Sequence, residues 1–225
     1  MKLNKWDTYF SKHLKPSGNE WGDKDFRNFK NWYFSWLNYI DKIVKLKLLS
    51  KKKYKVFEIG SSIGSVASLL NERGFDVTGS DISRKIIKIA GNISPKIPFI
   101  YCDIKKGIPG KRKYNIIVGF EVLEHVDDSQ KAVANIYNGL LSGGYFIGSS
   151  PFPFAKNYAD PTHCSVRHPI DWEKIFKEKG FKKVMTKPMS FLPFLWKLNK
   201  NWNIVFPFYV PFKKVVSTTL IIARK

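Results

Sequence analysis

The sequence predicts an α/β fold, with a mostly parallel sheet and helices on both of its faces. Short apolar segments typical of strands alternate with segments of helical length from residue 54 onward, and several helix candidates are followed by glycine. Strands joined through helices form right-handed crossovers, so neighbouring strands run in one direction. The 225 residues are enough for one such domain with a sizeable core.

The strand and helix candidates follow one another in a fixed order. We expect seven strands, at 54–59, 75–79, 97–101, 114–120, 145–149, 181–186 and 217–223. We expect helices at 66–73, 82–90, 129–141 and 170–179, the third of them ended by Gly143 and Gly144. Because ligands of such sheets bind beyond the carboxyl ends of the strands, the loops after the strands are where chemistry is expected.

The region before the first strand has a different pattern. Four apolar residues there are spaced three or four apart, and they are Trp32, Trp36, Ile40 and Ile43. Such a stripe on one side of a helix is more often core packing than a binding surface. We therefore expect residues 1–53 to form a helical extension packed on a core domain of residues 54–225.

The net charge of +21 is concentrated at the two ends of the chain. Residues 1–53 carry 13 Lys and Arg against 5 Asp and Glu, and residues 151–225 carry 14 against 4. Residues 54–150 carry 12 against 9. This distribution favours contact with an anionic membrane surface or with nucleic acid. The alternative, that the lysines only solvate the surface, stays open.

We expect a cytoplasmic protein, which would meet a membrane only at its periphery. No apolar run follows the basic N-terminal residues, as a secretory signal would require, and there is no transmembrane stretch of about 18 apolar residues. Cys102 and Cys164 have no nearby partner, so we predict neither a zinc site nor any other metal. The oligomeric state stays open.

The loop after the first strand carries the first chemical signal. It places Glu58 before a run of small residues that includes Gly60, Ser62 and Gly64. Glycines let the backbone turn sharply and approach a ligand, and the helix that follows offers free N–H groups. A dinucleotide fingerprint would need glycine at 60, 62 and 65, so this spacing disfavours a dehydrogenase.

Acidic residues follow the next three strands. Asp81 ends the second strand and Asp103 ends the third, and Glu121 follows the fourth in the segment 120–126. A carboxylate in the position of Asp81 can accept hydrogen bonds from ribose hydroxyls. The carboxyl ends of parallel strands meet at one edge of a sheet, so we expect these acids to face a common ligand.

These loops together resemble the class I S-adenosyl-L-methionine (SAM)-dependent methyltransferases over residues 50–185. The loop at 58–64 is similar to the first motif of that family, although Ser62 replaces its middle glycine, and 123–125 (Leu-Glu-His) is similar to the segment after its fourth strand. The resemblance implies a Rossmann-like sheet of seven strands with the last strand antiparallel, and SAM as the methyl donor. It implies these cofactor-binding residues: Glu58, Gly60, Ser62, Gly64, Asp81, Ile82, Asp103, Ile104 and Glu121.

Two histidines are candidate bases. Methyl transfer from a sulfonium mainly needs donor and acceptor held in line, but a hydroxyl or ammonium acceptor must also lose a proton. His125 follows the fourth strand, and His163 lies in a loop that resembles those of methyltransferases acting on sugars, lipids and other small acceptors. We expect Asp160 to orient the imidazole of His163, as carboxylates do in other histidine bases. That either histidine serves only the structure of its loop stays open.

Residues 189–214 are rich in aromatic residues and are broken by three prolines, which exclude a central strand or a long straight helix. The aromatic residues are Phe191, Phe194, Trp196, Trp202, Phe206, Phe208, Tyr209 and Phe212, with Lys197, Lys200, Lys213 and Lys214 beside them. We expect an insertion that acts as a lid on the N-terminal helices, or as an acceptor channel or membrane-surface contact.

The sequence therefore predicts a SAM-dependent methyltransferase acting on an O or N atom of a small-molecule, lipid-like or glycan acceptor. A methyltransferase acting on RNA or protein is the alternative, and so is a SAM-binding module without turnover. An amino-methyltransferase of nucleic acid would need a Pro-Pro-aromatic turn after the fourth strand, which is absent. A base C5 methyltransferase would need a catalytic-loop cysteine, which neither Cys102 nor Cys164 provides.

Overall fold

The computed structural model describes residues 5–8, 23–44, 54–192, 204–212 and 215–225. The helices are α1 Asp23–Val44, α2 Ser65–Glu72, α3 Arg84–Ile93, α4 Ser129–Gly139, α5 Ala155–Tyr158 and α6 Pro169–Glu178. The strands are β1 Lys55–Ile59, β2 Asp76–Asp81, β3 Phe99–Tyr101, β4 Tyr114–Phe120, β5 Leu140–Pro151, β6 Lys183–Phe191, β7 Val205–Phe206 and β8 Val216–Arg224. Short 3-10 helices, Ile104–Lys106 and Leu123–His125, follow β3 and β4, and residues 5–8 form one helical turn.

The strands form one sheet in the order β3-β2-β1-β4-β5-β8-β6-β7. Strands β1 to β5 pair in parallel, and β8 lies antiparallel between β5 and β6. The predicted α/β fold class, with its mostly parallel sheet and antiparallel last strand, is confirmed. The described residues form eight strands rather than seven, because the two-residue strand β7 pairs with the end of β6. Pro207 follows β7 directly and has no N–H to donate, which suits a short strand at the sheet edge.

The strand order reverses between β1 and β4. From β1 the chain runs outward through β2 to β3, then returns to β4 on the other side and continues to β5. The connection after β1 and the connection after β4 therefore lead to opposite sides of the sheet. Between them they leave a crevice beyond the carboxyl ends of these two strands. The loops that carry the predicted site residues border this crevice.

Hydrophobic residues fill both faces of the sheet, and α1 takes part in one of these layers. Trp36 and Ile40 are fully buried there. The Trp36 ring stacks on Phe191 of β6 with centroids 4.7 Å apart, and it meets Phe120 of β4 edge-on. Helices α4 and α6 cover the other face. Helix α1 is therefore part of the hydrophobic core, although the side chain of Ile43 lies outside the described residues.

The helix predicted at 129–141 ends two residues early, at Gly139. Leu140 already belongs to β5 and pairs with Tyr114 of β4, so Gly143 and Gly144 lie within the strand rather than at a helix end. A Cβ on Gly144 would lie 2.9 Å from the carbonyl oxygen of Asn115. Gly144 therefore permits close approach of the two strands where the register of β4 and β5 shifts.

The aromatic insertion predicted at 189–214 is described only in part. Tyr209 packs on Phe152 with ring centroids 3.8 Å apart, whereas Phe208 and Phe212 are 54% and 71% exposed. Other residues of the prediction lie outside the described ranges, namely Phe194, Trp196, Trp202, Lys197, Lys200, Lys213 and Lys214. Among the helices of the described residues, none has the length and apolar character needed to cross a membrane.

Candidate active site

The loop between β1 and α2 turns through three residues with positive φ, Gly60 (66°), Ser62 (48°) and Gly64 (83°). Glycine adopts this conformation without strain, whereas a side chain rarely does. A Cβ on Gly60 would also lie 2.5 Å from Val122. The N–H of Ser62 donates to Asp81 Oδ2 at 3.1 Å. This hydrogen bond holds the loop against the end of β2. It is made by Ser62, the residue that replaces the middle glycine of the motif.

Asp81 joins this loop to the one after β2. Its Oδ1 accepts a hydrogen bond from the N–H of Ser83 at 2.9 Å, while its Oδ2 accepts that of Ser62. Burial raises the pKa of Asp81 to about 6, and the backbone N–H donors oppose that rise. The carboxylate also lines a cavity, where its remaining lone pairs can accept hydrogen bonds from a ligand.

Asp103 closes the next loop in a similar way. Its carboxylate accepts the N–H of Lys105 at 3.1 Å and so caps the short helix after β3. Ile104, which begins this helix, is buried, and both residues reach the cavity wall. Asp103 therefore combines a capping role with a position facing the cavity.

The cavity has a volume of about 580 Å³ and lies beyond the carboxyl ends of β1 to β4. A volume of this size suits a cofactor or small molecule. Ten of the twelve residues predicted for the site line it, and they are Gly60, Ser62, Asp81, Ile82, Asp103, Ile104, Glu121, His125, Asp160 and His163. The fold thus brings the predicted cofactor residues and the predicted acceptor residues to one cavity.

Glu58 and Gly64 lie behind the loop rather than in the cavity wall. Glu58 is buried and accepts the N–H of Ala67 in α2, and its burial raises its pKa well above the ordinary value. A Cβ on Gly64 would lie 2.6 Å from the ring of Phe99. These two residues shape the loop from its buried side, so they would act on a ligand only through the loop.

His125 and His163 lie side by side at one end of the cavity, with ring centroids 4.8 Å apart. Nδ1 of His125 donates to the carbonyl of Thr162 at 3.1 Å, and Nδ1 of His163 donates to the carbonyl of Asn157 at 2.7 Å. Because a carbonyl oxygen can only accept, each neutral imidazole carries its lone pair on Nε2. Burial lowers the pKa of His125, which favours the neutral form.

Asp160 does not orient His163 in the predicted way. Its Oδ2 is 3.9 Å from His163 Nε2, which is beyond hydrogen-bond length. Its Oδ1 instead accepts the N–H and the hydroxyl of Thr162, at 2.8 and 2.7 Å. The carbonyl of Asn157 orients the imidazole, and Asp160 fixes the turn of the loop that carries it.

Two glutamates lie beside these histidines. Glu121 has a φ of 53°, an uncommon conformation for a residue with a side chain. Its Oε1 accepts the hydroxyls of Ser149 and Thr218, both at 2.6 Å. Glu124 is buried in the short helix after β4. Burial raises the pKa of Glu121 and raises that of Glu124 well above its ordinary range, and in Glu124 the charge of Glu121 adds to the effect.

Some residues of the cavity wall carry no signal in the sequence. Trp6 meets the His125 ring edge-on with centroids 5.0 Å apart, and Lys5 also lines the cavity. Asp7 is buried and accepts the hydroxyl of Ser83 at 2.6 Å, which fixes this turn to the loop after β2. A single helical turn has too few residues to show a period, so only the tertiary structure reveals this part of the wall.

The reversal of strand order, the turn after β1 and the acids after β2 and β3 define an α/β enzyme that binds a nucleotide-like cofactor at the strand ends. The family model of a methyltransferase domain matches residues 33–186. The chain belongs to this methyltransferase family, and its cofactor is SAM.

A curated relative is the ubiquinone biosynthesis O-methyltransferase of Coxiella burnetii (strain Dugway 5J108-111), 25% identical over 153 residues, a match that covers 61% of this chain and 65% of that protein. Its counterpart in Rickettsia typhi is 26% identical over 118 residues, covering 51% of this chain and 48% of that protein. The chain thus spans between about half and two thirds of the length of these relatives.

Solved structures share the fold. A SAM-dependent methyltransferase from Archaeoglobus fulgidus superposes with a TM-score of 0.61 at 18% identity, over 85% of this chain and 94% of that one. At this identity the similarity establishes the fold alone.

Proposed function

We propose that this methyltransferase transfers the methyl group of SAM to a hydroxyl oxygen of a small-molecule acceptor, with lipid-like and glycan acceptors included. The observation that carries the proposal is the composition of the cavity. One part of its wall holds acids and backbone positions suited to the cofactor, and another part holds imidazoles and carboxylates suited to an oxygen acceptor.

The residues near β1 to β3 fit SAM. Asp81 offers carboxylate lone pairs to ribose hydroxyls while the N–H groups of Ser62 and Ser83 hold it in place. Asp103 and Ile104 extend the wall beside it. Bound here, SAM would supply an electrophilic methyl group on a sulfonium, so that the protein needs only to align the acceptor and manage its proton.

The residues near β4 fit an oxygen acceptor. In the neutral form, His125 and His163 each carry a free lone pair on Nε2, because each Nδ1–H donates to a backbone carbonyl. A hydroxyl must lose its proton as its oxygen bonds to the methyl carbon, and a neutral imidazole can take that proton. The name of the ubiquinone O-methyltransferase relatives, at 25–26% identity, also favours oxygen as the acceptor atom.

Label transfer tests the proposal. The protein would be incubated with methyl-labelled SAM and with separate lipid and small-molecule, RNA, and protein fractions of a cell extract. We expect label in the lipid and small-molecule fraction and its loss with His163→Gln, while His168→Gln, at an exposed histidine of the same segment, should retain it. Label confined to RNA or protein would refute the acceptor class.

A further inference from the structure

The carboxyl group of Glu124 is buried next to His125, which lines the cavity. The side chain of Glu124 is only 1% exposed, and within the described part of the chain no other residue donates a hydrogen bond to either of its oxygens. Nε2 of His125 lies 3.9 Å from Oε1 of Glu124. Burying a carboxyl group without hydrogen bonds is costly, whether it is ionised or protonated, because a protonated carboxyl also has an O–H to donate. Among the residues that the structure describes, this group therefore has no hydrogen-bond donor from another residue.

His125 and His163 each place a ring nitrogen near the carboxyl group of Glu124. The lone pairs on Nε2 of His125 and His163 are fixed by the Nδ1 hydrogen bonds to backbone carbonyls. Ligand atoms of Glu124, His125 and His163 all lie within 4.8 Å of one another. Three atoms this far apart lie within about 2.8 Å of a common point, so shifts of about 0.6 Å would reach the usual metal–ligand distances. A histidine whose second nitrogen donates to a carbonyl is the usual arrangement of a metal ligand.

The backbone fixes these side chains relative to one another. The N–H groups of Cys164 and Ser165 both donate to the carbonyl of Glu124, at 2.8 and 2.9 Å. These bonds join the loop of His163 to the short helix of Glu124 and His125. The ligands come from two distant segments of the chain, and these backbone hydrogen bonds hold the two segments together.

The local charge also favours a cation. Glu121 lines the cavity, and its charge and that of Asp160 both act on Glu124. Among the residues that the structure describes, no Lys or Arg forms an ion pair with Glu121 or Glu124. The charges of Glu121 and Asp160 both disfavour the ionised form of Glu124, and a doubly charged cation would offset this repulsion.

We propose that Glu124, His125 and His163 bind a divalent first-row transition-metal ion, such as Zn²⁺, Mn²⁺ or Co²⁺. Two imidazoles and a carboxylate suit these ions better than Ca²⁺ or Mg²⁺, which favour all-oxygen sites. Glu121 lies beside the site and would provide a further carboxylate. Both histidines line the cavity, so the open positions of the metal face the space available to the acceptor.

The role of the metal rests on the proposed function. An acceptor hydroxyl bound to the cation loses its proton to solvent, because the metal lowers its pKa. The resulting oxyanion forms the O–C bond to the methyl group, and the C–S bond breaks with its electron pair going to sulfur. His125 and His163 are then ligands rather than proton acceptors.

Calorimetric titration of the chelator-treated protein with ZnCl₂ and MnCl₂ tests the site directly. We expect saturable binding of one ion per chain and an increase in melting temperature for at least one of the two metals. Glu124→Gln and His163→Gln should each weaken binding by more than the roughly 10- to 100-fold that loss of an outer-shell partner costs. The matched control is His168→Gln, because His168 lies in the same segment but at the N-cap position of α6, where its ring meets Phe152 edge-on.

The outcomes separate this proposal from the proposed function. Absence of saturable binding to the wild-type chain, or equal affinities of the Glu124→Gln, His163→Gln and His168→Gln variants, would overturn the metal site. Melting curves identify a variant that fails to fold, and the other ligand variant then decides. SAM binding is measured on the same metal-free protein. A chain that binds SAM but no metal loses only this proposal, whereas one that binds metal but not SAM loses only the function.

Discussion

Replacement of Asp81 by asparagine tests how the cavity holds its cofactor. The change keeps the size of the side chain and removes its charge. It also turns one oxygen into an NH₂ donor, which cannot accept the N–H of Ser62 or Ser83. One of these two loop contacts is therefore lost together with the acceptor for a ribose hydroxyl.

The magnitude follows from the hydrogen bonds at stake. A hydrogen bond to a charged group contributes about 1.5–3 kcal/mol, which corresponds to roughly ten- to a hundredfold in affinity. The variant should therefore bind SAM about ten- to a hundredfold more weakly. The fold should persist, because a neutral side chain is easier to bury than the carboxylate whose pKa burial raises.

Isothermal titration of the purified chain with SAM measures the effect. The control is Asp76→Asn, the same substitution at the other end of β2, where Asp76 is exposed and pairs with Arg112. It should bind SAM as the wild type does. A SAM affinity of Asp81→Asn equal to that of the wild type would refute the assignment of Asp81 to the cofactor, and would leave it only its structural role between two loops.

Three further results are expected. The ionised carboxylate is the stronger acceptor, so bound SAM should lower the Asp81 pKa below its value of about 6. The affinity for SAM should therefore rise by at most about tenfold per pH unit as the pH approaches 6, and it should level off above pH 6. Asp81→Asn should abolish this pH dependence. SAM and S-adenosylhomocysteine should raise the melting temperature, and stabilisation by NAD alone would contradict the account of the loop after β1. Trp36→Ala should lower the free energy of unfolding in urea by about 3–5 kcal/mol because this ring is fully buried, whereas Phe208→Ala, at a half-exposed ring, should cost far less.

The sequence predicted the alternation of strands and helices because local patterns determine it. Element ends were less certain, since they depend on partners. A Gly-Gly pair such as Gly143 and Gly144 is typical of the end of a helix. In the structure, however, Leu140 pairs with Tyr114, so the strand has already begun three residues before Gly143. The strand Val205–Phe206 has only two residues, too few to show alternation, and its pairing with the end of β6 defines it.

In the candidate site, the residues at strand ends could be predicted from the sequence, whereas contacts between loops could not. Residues at strand ends, such as Asp81 and Asp103, could be placed because parallel strands align their carboxyl ends. The sequence could not show that Asn157, rather than Asp160, orients the imidazole of His163, since this depends on the turn of one loop. Nor could it bring Glu124 within reach of His163, because the two lie in separate loops that only the backbone hydrogen bonds of the fold join.

The most direct test of the central claim is the identity of the atom that receives the methyl group. The chain would be incubated with SAM carrying a carbon-13 methyl group and with the small-molecule and lipid fraction, and the products examined by carbon NMR. The account predicts a new signal with the chemical shift of an O-methyl carbon, which disappears with His163→Gln. An N-, S- or C-methyl signal, or a labelled product found only among RNA or protein, would contradict it.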